Sequence, residues 1–204
     1  MKKIMFNDKY GLTQAVLGGR KTQTRRIVTY PKIFHGKDVC GFYVCKRISD
    51  GVVTDVCMYD ENESFIDEGQ ILPNYKVGEI VAIAQSYKDA GFCNECIIHK
   101  ELIAGWNNKM FVRGDLMPHQ IRITDVRVER LQDISDVECL KEGIQKMLTG
   151  CEYYQYSFYD NDKGLWNNYK TPREAFAHLI NKVSRKDVWE ENPYVFVYDF
   201  KLVK

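Results

Sequence analysis

The stretch that most constrains the fold is Tyr194-Val195-Phe196-Val197-Tyr198-Asp199-Phe200-Lys201, which follows Asn192-Pro193. Its residues are mostly aromatic or β-branched, and such side chains suit a pleated surface that is at least half buried. We therefore expect a long strand near the C-terminus. A second long strand is expected from Gln120 to Leu131. Its apolar alternation changes face near Asp125, which predicts a β-bulge.

Shorter strand patterns lie upstream of these two. Gly41 to Arg47 and Val52 to Tyr59 are rich in β-forming residues and flank Ser49-Asp50-Gly51, and Asp-Gly between such runs is typical of a hairpin. Ile80 to Gln85 predicts a short buried strand. The acidic and polar run from Asp60 to Gln70 predicts a loop instead.

Helix signals occupy both ends of the chain. Asp8 can cap a helix from about Lys9 to Leu17, which Gly18-Gly19 then end because glycine accepts the left-handed conformation at that point. A Ser-x-x-Glu capping box opens a second helix over Ser135 to about Met147. The run Thr171-Pro172-Arg173-Glu174 combines a cap, a proline at the first helical position and a glutamate, and it predicts a third helix.

The order of these elements indicates the fold class. Strands follow one another without regular β-α-β alternation, and the sequence lacks a G-x-G-x-x-G run, so a dinucleotide-binding fold is not expected. We expect an α+β protein with a mainly antiparallel sheet or a small β-barrel. A length of 204 residues fits one domain, which we place over residues 1–204.

Composition limits the classes of function. Hydrophobic residues make up 45% of the chain and the net charge is only +1, so a contact with nucleic acid has to come from a local basic patch. Seven cysteines with irregular spacing do not indicate a secreted disulfide framework. No stretch approaches the roughly 20 apolar residues that span a bilayer, and the N-terminus lacks a signal-peptide core. We therefore expect a cytoplasmic protein without a membrane partner.

The segment with the clearest chemical content is Gly19-Arg20-Lys21-Thr22-Gln23-Thr24-Arg25-Arg26. It places four cations and two hydroxyls in seven residues, directly after the glycines that end the first helix. Arginine and lysine bind phosphate, and a threonine hydroxyl can donate a hydrogen bond or attack a carbonyl. Spacing alone leaves another interpretation open, because a charged edge strand also protects a sheet from aggregation.

This segment resembles the G-R-K-T-x-T-x-R motif of ASCH domains, which belong to the PUA-like β-barrels. Three further pieces are similar in the same order: Val77 to Ile83, the strand and helix from Ile123 to Ile144, and the strand from Asn192 to Phe200. Longer phage and prophage members of the group are similar over nearly the whole chain. The resemblance implies a PUA-like barrel with helices at its mouth and a partner that is RNA or a nucleoside.

The resemblance also implies site residues. Small members of the superfamily hydrolyse the acyl group of N4-acetylcytidine, and their lysine, threonine and glutamate correspond to Lys21, Thr24 and Glu142. Thr24 is then the nucleophile, Lys21 the base and Glu142 the proton donor. The remaining polar residues of the segment are expected to bind the ligand: Arg20, Thr22, Arg25 and Arg26.

The chain also departs from the small hydrolases. It carries insertions near residues 30–76, 86–118 and 146–170, each of which can fill or widen the pocket. Two other interpretations therefore stay open: a non-catalytic module that binds RNA or a modified base, and a phage-encoded interaction protein whose pocket is vestigial. One geometric condition applies to all catalytic readings. Lys21 and Thr24 point to opposite faces of a regular strand, so the backbone near Thr22 has to be irregular.

Other clusters give weaker signals. Cys93 and Cys96 with His99 have local metal-like spacing, but no second C-x-x-C pair follows, so we expect no metal site and no cofactor. The aromatic residues around Tyr153 to Tyr159 fit either base stacking or a small satellite core, and we favour the core. His178 is expected to pack beside the last long helix.

Overall fold

The computed structural model describes residues 1–93, 104–150, 153–184 and 186–203. Cys96 and His99 of the candidate metal cluster lie outside this range. The strands are β1 Lys3–Ile4, β2 Gln23–Ile27, β3 Ile33–Phe34, β4 Lys37–Asp38, β5 Gly41–Lys46, β6 Val53–Tyr59, β7 Phe65–Gln70, β8 Ile80–Ile83, β9 Gln120–Arg130, β10 Gln145–Leu148, β11 Tyr154–Asp160, β12 Leu165–Tyr169 and β13 Tyr194–Leu202. The α-helices are α1 Leu12–Leu17, α2 Asp136–Lys141, α3 Pro172–Ser184 and α4 Val188–Glu191.

The two long strands expected from the sequence form the centre of the main sheet. The strand order is β1-β8-β9-β13-β2, with β13 antiparallel to both of its neighbours. The register of β13 against β9 shifts between Asp199, which lies opposite Asp125, and Phe200, which lies opposite Ile123. Thr124 is the extra residue, so the predicted bulge is confirmed.

The fold is α+β and mostly antiparallel, as expected, although β1 and β8 pair in parallel. The expected β-barrel is not confirmed. In the described part of the chain β1 and β2 occupy the two edges of the five-stranded sheet, and no ladder joins them. The hydrogen bonds therefore describe an open sheet, and closure into a barrel is not seen.

Two of the three segments expected to be insertions, those near residues 30–76 and 146–170, form small sheets of their own. β5, β6 and β7 make one three-stranded sheet, which includes the predicted hairpin, and β10, β11 and β12 make another. The expectation of a loop over Asp60 to Gln70 is wrong, because β7 pairs with β6. Val56 of β6 and Phe158 of β11 belong to the same buried cluster as the main sheet, so both additions pack on the central core.

Two helices end earlier or start later than predicted. α1 begins at Leu12 because Gly11, with φ of 63°, supplies the bend, and the Asp8 carboxylate makes no cap. α2 has the predicted Ser135–Glu138 capping box but stops at Lys141, and Gly143 follows with φ of 109°. The positive φ suits glycine and turns the chain into β10. No helix in the described ranges is long and apolar enough to span a membrane.

Candidate functional site

The backbone places Lys21 between two helix ends. The amides of Arg20 and Lys21 both donate to the carbonyl of Ala15, at 2.9 Å, and the amide of Thr22 donates to the carbonyl of Lys141, also at 2.9 Å. The first pair of bonds ties the segment to α1, and the second ties it to the end of α2. Glu142 is the next residue after α2, so these bonds bring two positions 121 residues apart into contact.

The irregular backbone required near Thr22 is present. β2 begins only at Gln23, so Lys21 and Thr22 lie outside the strand and its alternation does not apply to them. Lys21, Thr24 and Glu142 line the same cleft, which has a volume of about 430 Å³ counted to its open mouth. The sequence-predicted triad is therefore brought together from two separate segments of the chain.

Lys21 and Glu142 form a buried ion pair at the base of this cleft. The Lys21 ammonium lies 2.5 Å from the Glu142 carboxylate and donates to the Glu142 carbonyl at 2.8 Å. Lys21 is 2% exposed. Its burial lowers the pKa of the ammonium, and the opposing charge of Glu142 only partly offsets this desolvation. The Phe6 ring, with its centroid 5.9 Å from Nζ, forms part of the apolar surroundings.

Thr24 completes the polar side of the cleft. It is buried and lies opposite Tyr198 of β13. No described residue hydrogen bonds to its hydroxyl. The hydroxyl is therefore available to react with or bind a ligand. The facing wall is apolar and consists of residues from the N-terminal segment, α1 and α3: Met5, Phe6, Leu12, Phe176, Leu179, Ile180 and Val183.

Arg25 contacts carboxylates rather than open solvent. Its side chain is 1% exposed, and it donates to Glu142 at 3.1 Å and to Glu129 at 2.6 Å. A further ion pair with Glu138 measures 3.5 Å, and the amide oxygen of Gln23 accepts a bond of 2.6 Å. These contacts occupy both terminal nitrogens and leave only the buried Nε without a partner, so the guanidinium has little capacity for a phosphate. In this arrangement Arg25 holds one oxygen of the Glu142 carboxylate, Oε1, and Lys21 holds the other, Oε2.

The other expected ligand-binding residues separate. Arg26 lines the cleft half-buried and donates to the carbonyl of Met5 at 2.6 Å. Thr22 does not line it. Arg20 is exposed and faces a neighbouring cleft beside β11 and β12. The structure thus groups Arg25 and Arg26 with the triad and places Arg20 and Thr22 outside it.

A network of charges behind the cleft was not anticipated from the sequence. Arg127 of β9 contacts Glu129 at 3.1 Å, Asp199 at 2.6 Å and the carboxylate of Glu138. Burial alone raises the pKa of Glu138, but hydrogen bonds from Ser135 and the charges of both arginines hold it below its ordinary value. The sequence held one signal for this network: charged residues at positions 125, 127 and 129 alternate with Val126 and Val128 in a predicted strand.

The remaining sequence signals have structural explanations. His178 stacks on Tyr169 with ring centroids 4.7 Å apart, as expected of a packed residue. Within the described ranges, no group of three or more potential metal ligands converges. Phe158 is buried in the core whereas Tyr153 and Tyr154 are exposed, so the aromatic cluster is only partly a core.

The chain matches no model of a known protein family, no curated protein and no solved structure. The conclusions on function therefore depend on the residues of the cleft and on the motif resemblance alone.

Proposed function

We propose that the chain is an ASCH-type, PUA-like protein whose cleft hydrolyses the acyl group from an N-acylated cytidine-type nucleoside. The observation that carries this proposal is the shared cleft of Lys21, Thr24 and Glu142, in which Lys21 and Glu142 form a buried pair 2.5 Å apart. In this proposal the five-stranded sheet corresponds to the wall of the barrel, and α1 and α2 lie at its mouth.

The pair can supply both a base and an acid. A proton held between Nζ and the carboxylate can move from one to the other without a change in net charge. Burial of Lys21 lowers its pKa and favours the neutral amine. When the shared proton lies on the carboxylate oxygen, the amine is a base in the same cleft as Thr24 and the carboxyl group is a proton donor, as general acid–base catalysis requires.

The reaction then proceeds in two halves. The Thr24 hydroxyl attacks the acyl carbon and its proton passes to the Lys21 amine. The carbon–nitrogen bond of the tetrahedral intermediate breaks, the exocyclic nitrogen takes the proton of Glu142, and an acyl ester remains on Thr24. Water then attacks the ester and gives one proton to the pair. The ester breaks, the Thr24 oxygen takes a proton from the pair, the free acid leaves, and the pair again holds its single shared proton.

Arg25 and Arg26 have different parts in this proposal. Arg25 is a positioning residue, because it touches Glu142 from a buried position. Arg26 is the cation of the cleft with access to a ligand, and a shift of its bond from the Met5 carbonyl to a ribose or phosphate oxygen would bring it into contact with substrate.

The test is turnover of N4-acetylcytidine, followed by the ultraviolet change on deacylation. We expect activity in the unmodified protein and its loss in Lys21→Ala and Thr24→Ala. Thr22→Ala is the matched control, because this threonine is two residues from Thr24 but its side chain does not line the cleft. An inactive protein, or activity that survives Thr24→Ala, refutes the hydrolase.

A second function is favoured by one observation. Glu142 forms ion pairs with both Lys21 and Arg25, and buried ion pairs of this kind can also have a purely structural role. In that case the cleft binds a modified base or RNA without turnover. The sign of this function is salt-sensitive RNA binding that weakens in Arg26→Ala, in a protein that leaves N4-acetylcytidine intact.

A further inference from the structure

A second cleft lies beside the first, on the side of the β10–β12 sheet. Its volume is about 650 Å³ counted to its open mouth, and α1 forms one wall while β11 and β12 form the other. The residues that give it chemical character are Tyr10, Gln14, Arg20, Gln145, Tyr159 and Trp166. None of the residues that line it is acidic.

The lining combines an aromatic surface with an unpaired cation. Trp166 is 38% exposed, and its ring centroid lies 5.1 Å from that of Tyr159 at an angle of 59°. Arg20 is exposed, and no described residue hydrogen bonds or ion-pairs with its guanidinium. Asp162, which follows the lining residue Asn161 in the chain, is paired with Lys9 at 2.7 Å. The cleft therefore offers an exposed aromatic side chain and an unpaired cation. These groups suit a ligand that has both a planar ring and a negatively charged group.

The wall between the two clefts is thin. Arg20 lines the second cleft and Lys21 the first, and Gly143 lines the second while Glu142 lines the first. Gly143 has φ of 109°, and a Cβ at that position would lie 3.2 Å from Leu12 and 3.7 Å from Lys21. Arg20-Lys21 and Glu142-Gly143 are both consecutive pairs, so a single layer of chain separates the two clefts at these two places.

We propose that the second cleft binds the nucleotide adjacent to the acylated cytidine in single-stranded RNA, with its base on Trp166 and its phosphate at Arg20. The inference rests on the proposed function and specifies its substrate as an oligonucleotide rather than a free nucleoside. Stacking on aromatic side chains accepts any base, so this position carries little sequence preference. The amides of Gln14 and Gln145 supply hydrogen bonds to the base edge or ribose.

The experiment compares kcat/KM for N4-acetylcytidine and for a trinucleotide that contains it. We expect the trinucleotide to be the better substrate. Trp166→Ala lowers kcat/KM for the trinucleotide roughly 5- to 150-fold, which is the range that loss of one stacked base gives. The same change leaves the free nucleoside unaffected, and Trp166→Phe restores most of the loss because the aromatic face returns.

Two additions make the test specific. Tyr154→Ala is the matched control, since Tyr154 is exposed on the same small sheet but does not line the cleft. Equilibrium binding of an unmodified cytidine trinucleotide, measured by calorimetry, gives a readout that does not need turnover. Arg20→Ala is expected to weaken this binding and to reduce the dependence on salt by about one phosphate contact.

The outcomes separate the inference from the function on which it rests. Turnover of the nucleoside with equal turnover of the trinucleotide, unaffected by Trp166→Ala, overturns the second subsite and leaves the hydrolase intact. Binding of the unmodified trinucleotide that depends on Trp166 and Arg20, in a protein without turnover, supports the subsite and overturns the hydrolase. Neither turnover nor trinucleotide binding overturns both.

Discussion

Replacement of Glu142 by glutamine tests the central ion pair most directly. The substitution keeps the size of the side chain and leaves an oxygen that can accept a hydrogen bond from Lys21. It removes the negative charge that faces two buried cations. Arg25 keeps the carboxylate of Glu129 at 2.6 Å, whereas among described residues no other carboxylate pairs with Lys21. Lys21 is therefore the cation that the substitution leaves without a counter-charge.

The size of the effect follows from burial and has an upper limit. Removal of one partner of a buried ion pair costs about 3–5 kcal/mol of unfolding free energy. Lys21 can escape part of this cost by losing its proton. With an ordinary pKa of 10.5 in the unfolded chain, neutralisation costs about 4.8 kcal/mol at pH 7 and about 2.0 kcal/mol at pH 9, at 1.36 kcal/mol for each unit.

The direction of the pH dependence follows from the same reasoning. Because the pKa of Lys21 is lower in the folded than in the unfolded protein, the unfolded chain binds more protons between the two pKa values. Stability therefore rises with pH in that window. Because Glu142→Gln lacks the carboxylate, the folded and unfolded pKa values of Lys21 differ more in this variant than in the unmodified protein. The difference in unfolding free energy between the two proteins therefore shrinks by up to about 2.7 kcal/mol between pH 7 and pH 9.

The assay is urea denaturation of four proteins at pH 7 and pH 9: the unmodified chain, Glu142→Gln, Lys21→Met and the double variant. We expect the double variant to be more stable than Glu142→Gln alone, because it contains no unpaired lysine, and the cycle isolates the pair. A Glu142→Gln deficit below about 1 kcal/mol at pH 7, or a deficit that grows with pH, refutes the buried pair as described.

Three further predictions concern the surroundings of the pair. Thr24→Val abolishes turnover of N4-acetylcytidine, while Thr24→Ser retains part of it. Both variants fold with nearly unchanged Tm because the hydroxyl has no described partner. A folded, active valine variant contradicts the role of Thr24 as the nucleophile. Arg25→Met lowers the free energy of unfolding by about 3–5 kcal/mol in urea denaturation, since Glu129 and Glu142 lose a buried counter-charge; a change within 0.5 kcal/mol, taken as roughly the surface-mutation range, refutes the role. Ser135→Ala lowers it by about 0.5–2 kcal/mol through loss of the α2 cap, and an unaltered midpoint contradicts the capping box.

The sequence predicted the elements whose signal is local. The strand at Tyr194 shows in its β-branched and aromatic residues, the helix starts at Ser135 and Thr171 show in their caps, and all three are present. The end of α2 was predicted too late. Apolar residues continue to Leu148, but Gly143 turns the chain, and the pairing of β10 with β11 then decides the conformation. Pairing also makes a strand of Phe65 to Gln70, whose composition favours a loop.

For the site, the sequence by itself determined which side chains carry chemistry, because a lysine, two threonines and three arginines stand in one short segment. Only the tertiary structure decided what each one faces. Hydrogen bonds from Thr22 to Lys141 and from Lys21 to Ala15 set Lys21 against Glu142, while strand alternation turns Arg25 inward to its carboxylates. Arg20, one residue from Lys21, is left in a separate cleft. Contacts between residues more than a hundred positions apart leave no periodic trace in a sequence, so the burial and partners of these charges follow from packing.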